Sequence, residues 1–131
     1  MLKFNRLMSG GIITNYDCSS KCKHCVYACS PHWVKDYMEV DLADEIFITL
    51  KRLGCNAVHI GGGEPLLRPD CLFPVLEAAG KHGIYIEYIE TNASWYKDID
   101  RAGELLNKLK RNNVHTLLIS IDPFHNEYIP F

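Results

Sequence analysis

No apolar run in the 131-residue chain approaches the roughly 20 residues a helix needs to cross a bilayer, so no membrane-spanning helix is expected. The opening segment MLKFNRLMSGGIITNY has neither a long apolar core nor a small-residue cleavage site, and the expectation is a cytoplasmic protein. An excess of positive charge is missing as well. Fourteen Lys and Arg against sixteen Asp and Glu leave a formal charge of -2, which argues against a protein built to grip a nucleic-acid backbone. Ser/Gly linkers, internal repeats and low-complexity tracts are also lacking, so residues 1–131 read as one domain or a portion of one.

Cysteine, by contrast, is plentiful. The chain has six, and four of them (Cys18, Cys22, Cys25 and Cys29) fall within twelve positions. With no secretory signal in the sequence and 47% apolar residues available for a core, metal or redox chemistry is a better reading than a disulfide framework.

Branched apolar runs alternate with longer amphipathic ones, the pattern of a parallel sheet with crossover helices. Strands are predicted at Gly11 to Tyr16, Cys55 to Ile60, Ile84 to Glu90 and Thr116 to Ile121. Helices are predicted at Val40 to Leu53, Pro69 to Lys81 and Ile99 to Arg111. In the first helix Val40, Leu42, Ala43, Ile46, Phe47 and Leu50 share a helical spacing, and in the second Leu72, Phe73, Val75, Leu76 and Ala79 do. The strand starts lie about 35 residues apart, close to the roughly 31 per unit of an eight-unit barrel. The expected fold is α/β: parallel βα repeats forming part of a TIM barrel, three βα units plus a fourth strand. Four strands cannot close a barrel, so the chain reads as a truncated product, a fragment or half of an assembly. An open, doubly wound four-stranded sheet is the alternative.

Cys18-Ser-Ser-Lys-Cys22-Lys-His-Cys25 follows the first strand, at the carboxyl end of the sheet where ligands of α/β proteins bind. Three thiolates on a short loop can hold three irons of a four-iron cluster and leave the fourth iron open. Cys29 extends the pattern to C-x3-C-x2-C-x3-C, so a closed four-thiolate site, an iron–sulfur electron carrier or a zinc-stabilised module, is the second reading. Lys21 and Lys23 interleave the ligands and place positive charge beside them. Cys55 and Cys71 read as structural thiols.

The second strand ends in His59-Ile60-Gly61-Gly62-Gly63-Glu64-Pro65. Residues without a side chain let a ligand approach the backbone, and Glu64 offers a charge-assisted contact to an ammonium group. The absence of a following Lys-Ser/Thr excludes a Walker phosphate loop. Thr91-Asn92 ends the third strand, where Asn92 faces the cleft or caps a turn. On the fourth, the period of two puts Leu118, Ser120 and Asp122 on one face, and Asp122 before Pro123 is also a good helix N-cap. His125 reads first as a surface histidine, and reaches the same cleft if a helix starts at Pro123; His32, His82 and His115 read as surface residues. Trp33 and Trp95 either wall a pocket or cover the core.

The cysteine loop after one strand and the Gly-Gly-Glu after the next resemble the radical S-adenosylmethionine (SAM) superfamily, over essentially the whole chain. The resemblance implies a [4Fe-4S] cluster on Cys18, Cys22 and Cys25, whose free iron binds the amino and carboxylate groups of S-adenosyl-L-methionine. It implies reductive cleavage of SAM to a 5'-deoxyadenosyl radical that abstracts hydrogen from a substrate. Gly62, Gly63 and Glu64 stand where the family holds the SAM amino group. Asn92 belongs to its Thr-Asn-Gly, with Ala93 in place of the glycine, and Ser120 and Asp122 occupy its Ser-x-Asp position near the SAM methionine or ribose. His24 replaces the usual aromatic before the third cysteine. Also implied are a flavodoxin- or ferredoxin-type reductant and, because the family's barrel generally has six units, a completing polypeptide.

Overall fold

The computed structural model describes residues 1, 3 and 5–130. Its elements alternate as expected: β1 (Gly10–Ile13), α1 (Val40–Arg52), β2 (Ala57–Gly61), a 3-10 turn (Pro65–Leu67), α2 (Pro69–Lys81), β3 (Tyr85–Thr91), α3 (Ile99–Arg111), β4 (Leu117–Ile119) and the single turn α4 (Pro123–Asn126). The strands form one parallel sheet in the order β1-β2-β3-β4. A doubly wound sheet reverses direction at a switch point, and this one does not. With right-handed crossovers, sequential order keeps the helices on one face and the other face concave, as in a segment of a TIM barrel.

The core lies between sheet and helices. Val58, Ile60, Ile86 and Ile89 from β2 and β3 meet Phe47 of α1 and Leu72, Val75, Leu76 and Ala79 of α2. The periodicity of α2 is therefore borne out, with Phe73 only partly buried. In α1 the stripe is narrower than its sequence suggests: Ala43 and Phe47 are buried, whereas Val40 and Leu42 are exposed. Those two flank the first turn, outside the narrow arc that α2 and the sheet cover. Leu72→Ala is expected to cost about 2–5 kcal/mol through lost transfer energy and a residual cavity. Leu42→Ala should stay within about 0.5 kcal/mol of the parent. Urea unfolding midpoints at constant slope check both.

The largest departures from expectation are at strand ends. β1 stops at Ile13 rather than Tyr16, because the next residues leave the regular ladder to meet the loop after β2. β4 covers only Leu117–Ile119. Among the described residues it pairs with β3 alone, and Leu118, Ile119 and Ile121 are 51%, 45% and 67% exposed, so both its faces lack apolar cover.

Candidate functional site

The loop after β1 and the loop after β2 are joined by main-chain and side-chain bonds. Thr14 N and Oγ1 both donate to Gly61 O. Gly63 N donates to Asn15 O at 2.8 Å, and Glu64 N to Asp17 O at 2.9 Å. The Asn15 amide donates to Asp17 O and Glu64 O. The glycines make this fit possible. A Cβ on Gly62, where φ is +143°, would lie 2.7 Å from Asn15 O, and one on Gly63 would lie 2.0 Å from Asp17 O. The triglycine thus seats one loop directly against the other and leaves bare backbone beside the first cysteine.

The cysteine loop leaves and returns at one point. Asp17 and Ser30 form an isolated parallel bridge, with Cys18 N donating to Ser30 O and Ser30 N to Tyr16 O. Inside this pinch Cys25 N donates to Cys22 O and Ala28 N to Cys25 O. The result is a cavity of about 230 Å³ whose wall includes Cys18, Cys22, Cys25 and Cys29, together with Gly62, Gly63, Asn92 and Ser120. Three separate strand ends and the cysteine loop therefore converge on one space.

All four of these cysteines are free, and the surroundings of Cys18, Cys22 and Cys29 disfavour a bare thiolate. Burial pushes Cys18 up to about 11, with Glu64 and the neighbouring thiols adding to it against a bond from Ser20 N. Burial and the adjoining Cys25 push Cys29 up to about 12, and burial followed by Cys25 raises Cys22 as well. Several sulfurs that resist ionisation side by side are a donor set that becomes anionic only when a cation shares the space, as thiolate metal ligands do. The donor set fits an iron–sulfur cluster. Cys29 is buried and part of the same wall, so geometry brings the fourth sulfur in with the three. Cys55 is buried in the core as expected, and Cys71 is partly exposed on α2.

Glu64 is placed differently from its expected contact with an ammonium group. It is fully buried. Oε1 accepts from Leu66 N at 3.0 Å and Thr91 Oγ1 at 2.8 Å, and Oε2 from Asn92 N at 2.7 Å. Burial raises its pKa, and the three donors recover only part of the shift. The carboxylate is a clamp between the ends of β2 and β3, and the bare backbone of Gly62 and Gly63 is what faces the cavity. Asn92 combines both of its expected roles: Oδ1 accepts from Ser94 N, while Nδ2 points at the cysteine loop, 3.5 Å from Cys18 Sγ and 3.1 Å from Ser19 Oγ.

Asp122 caps α4, with Oδ1 accepting from Phe124 N and His125 N, and its other oxygen meets His125 Nδ1 at 2.6 Å. Desolvation opposes ionisation here, but the bonds from His125 and Phe124 hold the carboxyl below the usual carboxylate range. It is His125, with Ser120 and His24, that lines the cavity. The segment after β4 is tied over the cysteine loop by Tyr128 Oη donating to Lys21 O, by Lys23 paired with Glu127 at 3.7 Å, and by Phe124 against the His24 ring. Trp95 packs on the core and donates to Thr91 Oγ1, while Trp33 is half exposed and donates to Ala28 O within the loop. His82 is bound to Asp44 at 2.6 Å rather than free on the surface. Glu90 escaped the sequence reading. It lines the cavity and has no hydrogen-bond or ion-pair partner among the described residues. Strand parity could not have found it, because an irregularity in the β2–β3 register puts both Ile86 and Ile89 in the core and breaks the period of two before Glu90.

None of the described helices is long and apolar enough to cross a membrane. A comparison with curated proteins returns no significant match. The model of the radical SAM superfamily matches residues 12–130, from β1 through the segment that closes over the cysteine loop, and the chain belongs to that superfamily.

Proposed function

We propose that this chain is a radical SAM enzyme domain. In this reading it binds a [4Fe-4S] cluster through Cys18, Cys22 and Cys25, and S-adenosyl-L-methionine against Gly62, Gly63, Asn92 and Ser120. The observation that carries the reading is the convergence of free thiols, bare glycine backbone and two further strand ends on a single cavity. Together these cofactors supply reductive cleavage of SAM to a 5'-deoxyadenosyl radical and hydrogen abstraction from a substrate.

The residues divide the remaining work. Gly62 and Gly63 form part of the cavity wall with bare backbone, because without a Cβ they can pack directly against Asn15 and Asp17 of the loop after β1. Asn92 donates an N–H to Cys18 Sγ, the kind of bond that raises a cluster's reduction potential. Glu64 and Asp122 act from behind, the first fixing Asn92 and the second fixing His125. Val26, Tyr27 and His125 complete the wall of the cavity. A flavodoxin- or ferredoxin-type protein is the proposed electron donor, supported by exposed Lys21 and Lys23 beside the ligands. A further polypeptide pairing along β4 belongs to the same proposal, supported by the exposure of Leu118, Ile119 and Ile121.

A closed four-thiolate site, giving an electron carrier or zinc module, is favoured by one observation: Cys29 lies in the same wall as the other three thiols. Anaerobic reconstitution with iron and sulfide separates the readings. The expected result is a four-iron cluster whose reduced EPR spectrum shifts on adding SAM, retained in Cys29→Ala. Loss of the cluster in that variant, or a spectrum indifferent to SAM, overturns the enzymatic reading.

A further inference from the structure

At the rim of the cavity stands a second group of ligating side chains that includes no thiol. Asp122 Oδ2 lies 2.6 Å from His125 Nδ1 and 3.9 Å from His24 Nε2. One ligand atom from each of the three residues falls within 4.8 Å of the others. Helix capping accounts for only half of this arrangement. Oδ1 alone accepts both backbone N–H groups of the cap, which leaves Oδ2 to the two imidazoles. His24 comes from the cysteine loop, far away in the chain, and no cap requires it. Its ring is held against Phe124 at 4.7 Å and meets the His125 ring edge-on at 5.3 Å. Both histidines line the cavity.

Two imidazoles and a carboxylate suit Fe(II), Zn(II), Mn(II) or Co(II), and three protein ligands leave coordination positions open. We propose that His24, Asp122 and His125 form a mononuclear divalent-metal site whose open positions face the cavity, where the ion holds a carboxylate or hydroxyl oxygen of a small-molecule substrate. The ion takes the place of the proton between Oδ2 and Nδ1, the neutral His125 ring then carrying its proton on Nε2. The 2.6 Å contact opens, and the 3.9 Å one to His24 closes, to the roughly 3–3.5 Å separation that follows for ligands held about 2.0–2.2 Å from one ion in octahedral or tetrahedral geometry. The metal site itself uses none of Cys18, Cys22 and Cys25; only its service to a substrate rests on the radical SAM reading.

The test is a titration of the protein with Mn²⁺ and with Co²⁺, followed by EPR. The cluster is loaded and oxidised beforehand, a state without an EPR signal of its own. Mn²⁺, which carboxylate suits better than thiolate, is also titrated into cluster-free protein. Cluster content is read separately from its visible absorption, so failure of the cluster reading and failure of the metal site are distinguishable. Asp122→Asn keeps the cap, because Asn serves as well as Asp at an N-cap, and His24→Gln and His125→Gln complete the set. Equimolar binding is expected in the parent protein, weakened at least about tenfold in each variant, with helical circular dichroism unchanged. If neither ion binds, or if all three variants bind as the parent does, the proposal is overturned.

Discussion

Gly63→Ala is expected to cost upward of about 4 kcal/mol, a size confined to a few mechanisms, steric conflict in a packed interior among them. The new Cβ would stand 2.0 Å from Asp17 O, 2.6 Å from Asp17 C and 2.9 Å from Tyr16 C. All three are backbone atoms, so no rotamer change relieves the clash. The loops after β1 and β2 must part, and that breaks the Gly63 N to Asn15 O and Glu64 N to Asp17 O bonds. Because Asp17 also closes the cysteine loop by pairing with Ser30, the thiols lose their common position together with the fold. The control is Gly103→Ala in α3, where a Cβ meets nothing within 4 Å. There the helix should gain roughly 0.5–1 kcal/mol. Thermal and urea unfolding of the two variants beside the parent measure the contrast. A Gly63→Ala protein with parental stability would mean that the two loops are not packed as described.

The helices and the parallel sheet were legible in the sequence because they depend on local patterns. α2 and α3 begin at Pro69 and after Asp98, which caps with its side chain at Arg101 N, and both end where His82 and Asn112 give way to residues with positive φ, Gly83 and Asn113. The grouping of Cys18, Cys22, Cys25, Gly62, Gly63, Asn92 and Ser120 was legible too, since strand-end position alone brings such residues to one edge of a parallel sheet. What spacing could not show is the direction of each carboxylate. Glu64 turns into the protein because Leu66 N, Thr91 Oγ1 and Asn92 N supply it with donors there. Asp122 is held by its own helix N-terminus, and Glu90, unremarkable in sequence, is left facing the cavity. Nor does periodicity report coverage: Val40 and Leu42 fit the stripe of α1 yet find no neighbour that buries them.

Glu64→Ala should destabilise the protein by roughly 3–5 kcal/mol, since it strands two buried backbone N–H groups and the Thr91 hydroxyl besides opening a void. Thr91 has no easy alternative, because its oxygen already accepts from Ala93 N and Trp95 Nε1 and its proton is committed to Glu64. Glu64→Gln fills the same volume and should cost less, about 1–3 kcal/mol. Its carbonyl oxygen can serve Leu66 and Thr91, but its NH2 then confronts the Asn92 N–H, donor against donor. The pH dependence separates charge from packing. Burial raises the carboxyl above its ordinary value near 4.5, so the folded protein holds this proton to a higher pH than the unfolded chain does. Stability from this group is therefore complete below about 4.5 and declines as pH rises through the folded value. The Gln variant, with nothing to titrate, lacks that decline, and the gap between parent and variant narrows as the medium is made more alkaline. Urea unfolding at a series of pH values reads the gap directly. A gap that widens with pH instead would show that the three donors outweigh burial and that Glu64 is held as a stabilised anion.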